Sequence, residues 1–127
     1  MIHIGTILNI SDNSGARKVS CIKICKSKKK SASVGDLILI SVKSLRSSKK
    51  SSVKVKKGDM YKAVILRVKK FKVNFTLNFG SISCFENAVV LLNKQKKMIG
   101  SRILGPMPKR FKVNKFSRLS TLTKELL

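Results

Sequence analysis

Few residues in this chain are of the types that do chemistry, and their spacing speaks against catalysis. There is one histidine, His3, and only five acidic residues. General acid–base or nucleophilic chemistry needs two converging carboxylates or a placed imidazole. Asp12 stands in Asp12-Asn13-Ser14-Gly15, Asp36 follows Val34-Gly35, Asp59 follows Gly58, and Glu86 just precedes an apolar run. All four read as turn or cap residues, and His3 has no evident partner. The three cysteines, Cys21, Cys25 and Cys84, are an odd number, so they build no disulfide framework and point to a reducing compartment. A zinc site needs closely spaced sets of Cys and His ligands. The one close pair, Cys21 and Cys25, lies in an apolar stretch, so the cysteines are expected to be buried as small hydrophobes. The expectation is a protein that is not an enzyme, with no catalytic residue, no metal and no cofactor.

The chemistry that the composition does support is polyanion binding. Twenty-nine Lys and Arg face five Asp and Glu in 127 residues, a formal net charge of +24, while 43% of residues are hydrophobic. The chain therefore has enough apolar material for a core, yet its surface repels itself unless a polyanion neutralises it. Solubility alone needs far less charge. The charge is uneven. Residues 1–25 carry three basic residues against one acid, residues 26–57 eleven against one, and residues 58–127 fifteen against three. A membrane-surface reading would call for an amphipathic helix with Lys beside Trp or Phe. Here the clusters sit in Ser-rich loops, and no apolar run approaches the ~18 residues that span a bilayer. The first residues lack a basic n-region and a cleavage site, so no secretory signal is expected. Lys outnumbers Arg 23 to 6, which favours phosphate positioning over bidentate base reading. No zinc finger, helix-turn-helix or basic zipper is evident, and the dispersed clusters suit a protein with folded RNA on several sides. The residues expected to clamp phosphates are Arg17, Lys28, Lys29, Lys30, Arg46, Lys49, Lys50, Lys54, Lys56, Lys57, Arg67, Lys69, Lys109 and Arg110.

The elements that position these cations show mostly period two. Ile2, Ile4, Leu8 and Ile10 share a parity and predict a first strand. A second strand is predicted from about Ala16 to Cys25 after the 12–15 turn. Leu37 to Val42 is apolar on both parities and reads as central, and Tyr61 to Val68 follows Gly58-Asp59 with its middle buried. Phe71, Val73, Phe75, Leu77 and Phe79 alternate with polar residues, and Ala88 to Leu92 is a last strand. Phe71, Phe75, Phe79 and Phe85 are expected to pack into a core or against protein, an exposed stacking platform on the Phe71–Phe79 face being the alternative. Short strands separated by turns predict an all-β barrel or sandwich. Ile103-Leu104-Gly105-Pro106-Met107-Pro108 reads as an extended connector. Beyond it, 109–111 and 115–119 suit short helical turns, and Leu119, Leu122, Leu126 and Leu127 are placed to dock on the barrel.

The run Leu8-Asn9-Ile10-Ser11-Asp12-Asn13-Ser14-Gly15-Ala16-Arg17 resembles the universal large-subunit ribosomal protein family L-fourteen. Collinear blocks continue the resemblance through 19–24, 34–38, 55–59 and 62–67, then Phe85 to Asn93, and finally Ile99-Gly100-Ser101-Arg102-Ile103-Leu104-Gly105-Pro106, covering nearly the whole chain. The resemblance implies one domain, a closed five-stranded barrel with a projecting β-ribbon over about 1–100 and a C-terminal extension with short helices over about 101–127. It implies a structural constituent of the large ribosomal subunit that binds large-subunit rRNA at the subunit interface. Its implied partners are neighbouring ribosomal proteins, small-subunit rRNA across an inter-subunit bridge, and a ribosome-silencing factor; no membrane is among them. A free OB-type RNA-binding translation factor is the alternative. The stretch from Leu66 to Gly80 is longer than the family pattern, so the ribbon is expected to differ in length and register. The 99–106 block, with usage rich in Lys and Ile and poor in Ala, points to a mitochondrial ribosome, with bacterial cytoplasm or plastid as alternatives.

Overall fold

The computed structural model describes residues 1–25, 30–46, 53–69, 73–74, 81–82, 84–108 and 117–123. Five strands close a barrel in the order β1 (Ile7–Ile10), β2 (Ala16–Ile24), β3 (Leu37–Leu45), β4 (Met60–Arg67) and β7 (Ala88–Leu92). Neighbours run antiparallel except β1 and β7, whose parallel pairing closes the ring. Closure leaves the barrel itself without a free edge to template aggregation, which matters in a chain with long apolar strands. Apart from the barrel, β5 (Val73–Asn74) and β6 (Ser81–Ile82) pair antiparallel as a small ribbon. The rest of the expected Phe71–Phe79 strand lies outside the described residues.

The barrel interior takes one parity from each strand. Leu8 and Ile10, Val19 and Cys21, Ile38, Ile40 and Val42, Ala63 and Ile65, and Val89 and Leu91 form a single buried cluster. The opposite parity of β4 and β7 is buried too. Val64, Leu66, Val90 and Leu92 pack on the barrel's outside beneath Ile103, Met107 and Leu119. This second layer explains why 63–66 and 88–92 read as unbroken apolar runs: each strand has two dry faces. Covering it is worth roughly 2 kcal/mol for each large apolar side chain removed from water. Ile103, Met107 and Leu119 are thus part of the core, anchored where Ile103 bridges both Asp12 and Thr123. One short helix, α1 (Ser117–Ser120), brings Leu119 into this layer.

Three expectations change. The first strand is interrupted: Ile2 is buried and bridges Ala32, but the chain turns at Gly5 (φ 85°) and leaves Ile4 exposed. β3 is not buried on both faces, since only Ile38, Ile40 and Val42 lie fully inside while Leu37 and Leu39 are half-covered. Leu122 is only partly covered, at 36% exposure, and Leu126 and Leu127 fall outside the described residues.

Candidate nucleic-acid interface

The turn at Asp12-Asn13-Ser14-Gly15 organises one side of the barrel. Asp12 is fully buried; its Oδ1 accepts from the Ser14 N–H at 2.8 Å and its Oδ2 from the Leu91 N–H at 2.9 Å, so one carboxylate ties the turn to β7. Asn13 Oδ1 accepts from the Ser101 N–H at 2.7 Å, while Asn13 Nδ2 donates to Ser101 Oγ at 2.8 Å. The two sequence blocks around residues 8–17 and 99–106, distant along the chain, therefore form one physical unit. Gly15 is required here: it has φ 96°, and a Cβ would come within 2.9 Å of the Val53 side chain.

Beyond this turn, β2 departs from plain alternation. Its register against β3 shifts between Ala16 and Lys18 and again between Lys18 and Val19. Such bulges put two consecutive side chains on one face. Arg17 and Lys18 are accordingly both exposed, between the buried Ala16 and Val19. They line an open cleft of about 980 Å³ together with Arg46 at the end of β3, Asn9, Ile10 and Ser11 of β1 and its exit, Cys84-Phe85-Glu86, and Leu104-Gly105-Pro106. Arg46 is half-buried and its Nη2 donates to the Ile10 carbonyl at 3.1 Å.

Arg67 also borders this cleft, but not as a phosphate clamp. It is 6% exposed; Nη1 donates to the carbonyls of Leu104 (3.2 Å) and Pro106 (2.9 Å), and Nη2 donates to Ser11 Oγ and pairs with Glu86 Oε1 at 2.8 Å. Both terminal nitrogens are committed to protein, so the expectation of a phosphate contact is corrected: Arg67 joins β4 to the C-terminal segment. Gly105 (φ 81°) makes the approach possible, since a Cβ there would sit 2.7 Å from Arg67 Nη1. Glu86 is likewise more than a cap. Its second oxygen accepts from Asn9 Nδ2 at 2.9 Å.

Other expected phosphate contacts lie where a polyanion can reach them. Lys30, Lys54, Lys56, Lys57 and Lys69 are exposed, Lys54 donating to the Ile99 carbonyl at 3.3 Å. Lys28, Lys29, Lys49, Lys50, Lys109 and Arg110 lie outside the described residues. The turn roles expected of Asp36 and Asp59 are seen, with Asp36 Oδ2 accepting from the Ser33 N–H at 3.0 Å and Asp59 Oδ2 from the Tyr61 hydroxyl at 3.2 Å. Burial, then the hydrogen bond to Asp59 and its charge, raise the Tyr61 phenol above its ordinary pKa.

Sequence reasoning missed Lys18 and did not foresee the exposure of Phe85, Cys25 and Cys84. Phe85, expected in a core or against protein, lies outside the core of this chain, 95% exposed on the wall of the cleft. Cys25 is exposed and Cys84 half-exposed, whereas Cys21 is buried as expected. Burial, with Cys25 nearby, pushes the Cys21 thiol up. Lys18 had a legible signal, the polar pair Arg17-Lys18 inside an otherwise alternating strand, which is how a bulge reads in sequence. Among the described residues no group of His, Cys, Asp and Glu is arranged to hold a metal, and no helix is long and apolar enough to cross a membrane.

A closed five-stranded barrel, a cationic exterior, and two joined motif blocks at 8–17 and 99–106 agree with the comparison to known proteins. A family model for ribosomal protein L14p/L23e matches residues 1–127. The chain belongs to the ribosomal protein L14p/L23e family. It is similar to the large ribosomal subunit protein uL14 of the bacterium Neorickettsia sennetsu, with 46% identity over 127 residues, covering 99% of this chain and 98% of that protein. The family is one of ribosomal proteins and not of enzymes, which accords with the turn and scaffold roles of Asp12, Asp36 and Glu86.

Proposed function

We propose that this chain is a structural constituent of the large ribosomal subunit whose cationic exterior neutralises large-subunit rRNA phosphates where RNA helices converge at the subunit interface. The observation that carries the reading is the family match over the whole chain, on a barrel with a net charge of +24. The barrel acts as a rigid plug. Its core fixes the strand ends, and the loops and bulges on them hold Arg17, Lys30, Arg46, Lys54, Lys56, Lys57 and Lys69 towards RNA. Lys28, Lys29, Lys49, Lys50, Lys109 and Arg110 extend the same set by sequence. The partners proposed are large-subunit rRNA, neighbouring ribosomal proteins, small-subunit rRNA across a bridge, and a ribosome-silencing factor at the same face. A mitochondrial ribosome is the proposed setting; the bacterial relative also fits a bacterial cytoplasm.

Sedimentation tests the role. A structural constituent stays with the large subunit through a moderate-salt wash, whereas a free OB-type factor is released. The electrostatic account is tested by titrating RNA at several salt concentrations. Log affinity should fall with log salt by roughly 0.7–0.9 per phosphate contacted, and a flat dependence overturns it.

A further inference from the structure

Phe85 stands where a fold has no use for a phenyl ring. It is 95% exposed, although side chains of this kind are ordinarily buried. The exposure is not that of a loose loop. The next residue, Glu86, is held by both Asn9 and Arg67; Asn87 accepts from the Lys69 N–H at 2.9 Å through its side chain and from the Asn9 N–H at 2.9 Å through its carbonyl. The ring is therefore presented by anchored backbone. It borders the cleft into which the β2 bulge turns both Arg17 and Lys18. Arg17, Lys18, Arg46, Arg67 and Glu86 line it; Glu86 is paired with Arg67, which leaves the charges of Arg17, Lys18 and Arg46 in excess.

We propose that this cleft takes one unpaired RNA nucleotide, its base stacked on Phe85 and its phosphate held by Arg17 and Lys18. The inference rests on the RNA-binding reading above and adds a mode of contact to it. Lysines on a surface engage the phosphates of any helix, whereas an aromatic face beside two cations engages a base that has left its stack. A paired helix offers Phe85 nothing, because its bases already stack on one another. A protein partner fits less well, since the centre of a protein interface is depleted in charge.

Two measurements on the full chain test this. An octauridylate carrying one 5-iodouridine is titrated at low salt and then irradiated. The label is expected on Phe85, and Phe85→Leu is expected to weaken binding roughly tenfold with an unchanged salt slope, Phe85→Tyr restoring it. Replacing both cations, Arg17→Gln with Lys18→Gln, should instead lower the salt slope by about 1.4. Labels elsewhere, with Phe85→Leu binding like the wild type, overturn the nucleotide cleft and leave the RNA-binding reading standing; affinity indifferent to salt overturns both. In assembled large subunits, Phe85→p-azidophenylalanine should crosslink to a single rRNA nucleotide, and a crosslink to protein overturns the inference.

Discussion

The corner around Arg67 and the loop at Lys54–Lys57 hold the same kind of charge and treat it in opposite ways. At the corner the fold supplies the counter-ion and the acceptors: Glu86, Ser11 and the carbonyls of Leu104 and Pro106 surround one guanidinium. In the loop, Val55 anchors the chain in the barrel core while Lys56 and Lys57 are exposed, and Lys54, exposed as well, donates to the Ile99 carbonyl. A buried cation must be satisfied within the protein, because desolvation costs several kcal/mol. An exposed one keeps its water and stays free for a phosphate. Net charge alone therefore does not tell which cations are available to a polyanion; the place of each cation relative to the core does.

The largest effect that sharpens this contrast is expected at the corner. Arg67→Met should destabilise the chain by about 2–4 kcal/mol, read as a fall in the urea midpoint, because it strands two carbonyls and removes the link to the C-terminal segment. The value stays at the lower end of the buried-pair range because Glu86 is nearly half exposed (46%) and can rehydrate. The salt slope of RNA binding should not move. Gly105→Ala should cost about 1–3 kcal/mol in the same assay, through its positive φ and the clash with Arg67.

In the loop the effects exchange places. Lys56→Gln with Lys57→Gln should lower the salt slope by roughly 1.4–1.8 and change stability by less than about 0.5 kcal/mol. Should Arg67→Met flatten the slope as much as the loop variant does, the contrast fails. The smallest effect is on the two thiols of β2 and its end. Cys21, buried and with its pKa raised, stays protonated in the fold, so iodoacetamide at pH 8 should modify exposed Cys25 first. The sign for stability follows: the folded state holds the Cys21 proton more tightly than the unfolded chain does. That contribution is present below the ordinary thiol pKa and is lost as pH rises through the folded one. Urea midpoints measured from pH 8 upward should fall more steeply than those of Cys21→Ala.

Much of this was legible in one dimension. Strand-length apolar runs between turn signals placed β2, β4 and β7 nearly residue for residue, and Asp-Asn-Ser-Gly marked the turn on which the barrel is organised, because apolar patterning and turn chemistry are local properties of the chain. The collinear blocks gave the family. The candidate interface was less legible. Arg67 and Lys69 are near neighbours in a basic cluster, and nothing local tells which of them faces inward; Glu86 and Leu104, which decide it, lie far along the chain. Phe85 looks like any core phenylalanine until the hydrogen bonds of Glu86 and Asn87 turn it outward.

Composition and pattern by themselves determined an all-β chain with an apolar core and an unbalanced positive exterior, since hydrophobic periodicity and charge count need no partner residue to be read. Only the tertiary structure decided which cations are satisfied inside the protein and which stay exposed, and that a bulge puts Arg17 and Lys18 together beside an exposed ring. Those outcomes depend on contacts between distant residues, where desolvation and packing, and not local propensity, set the energy.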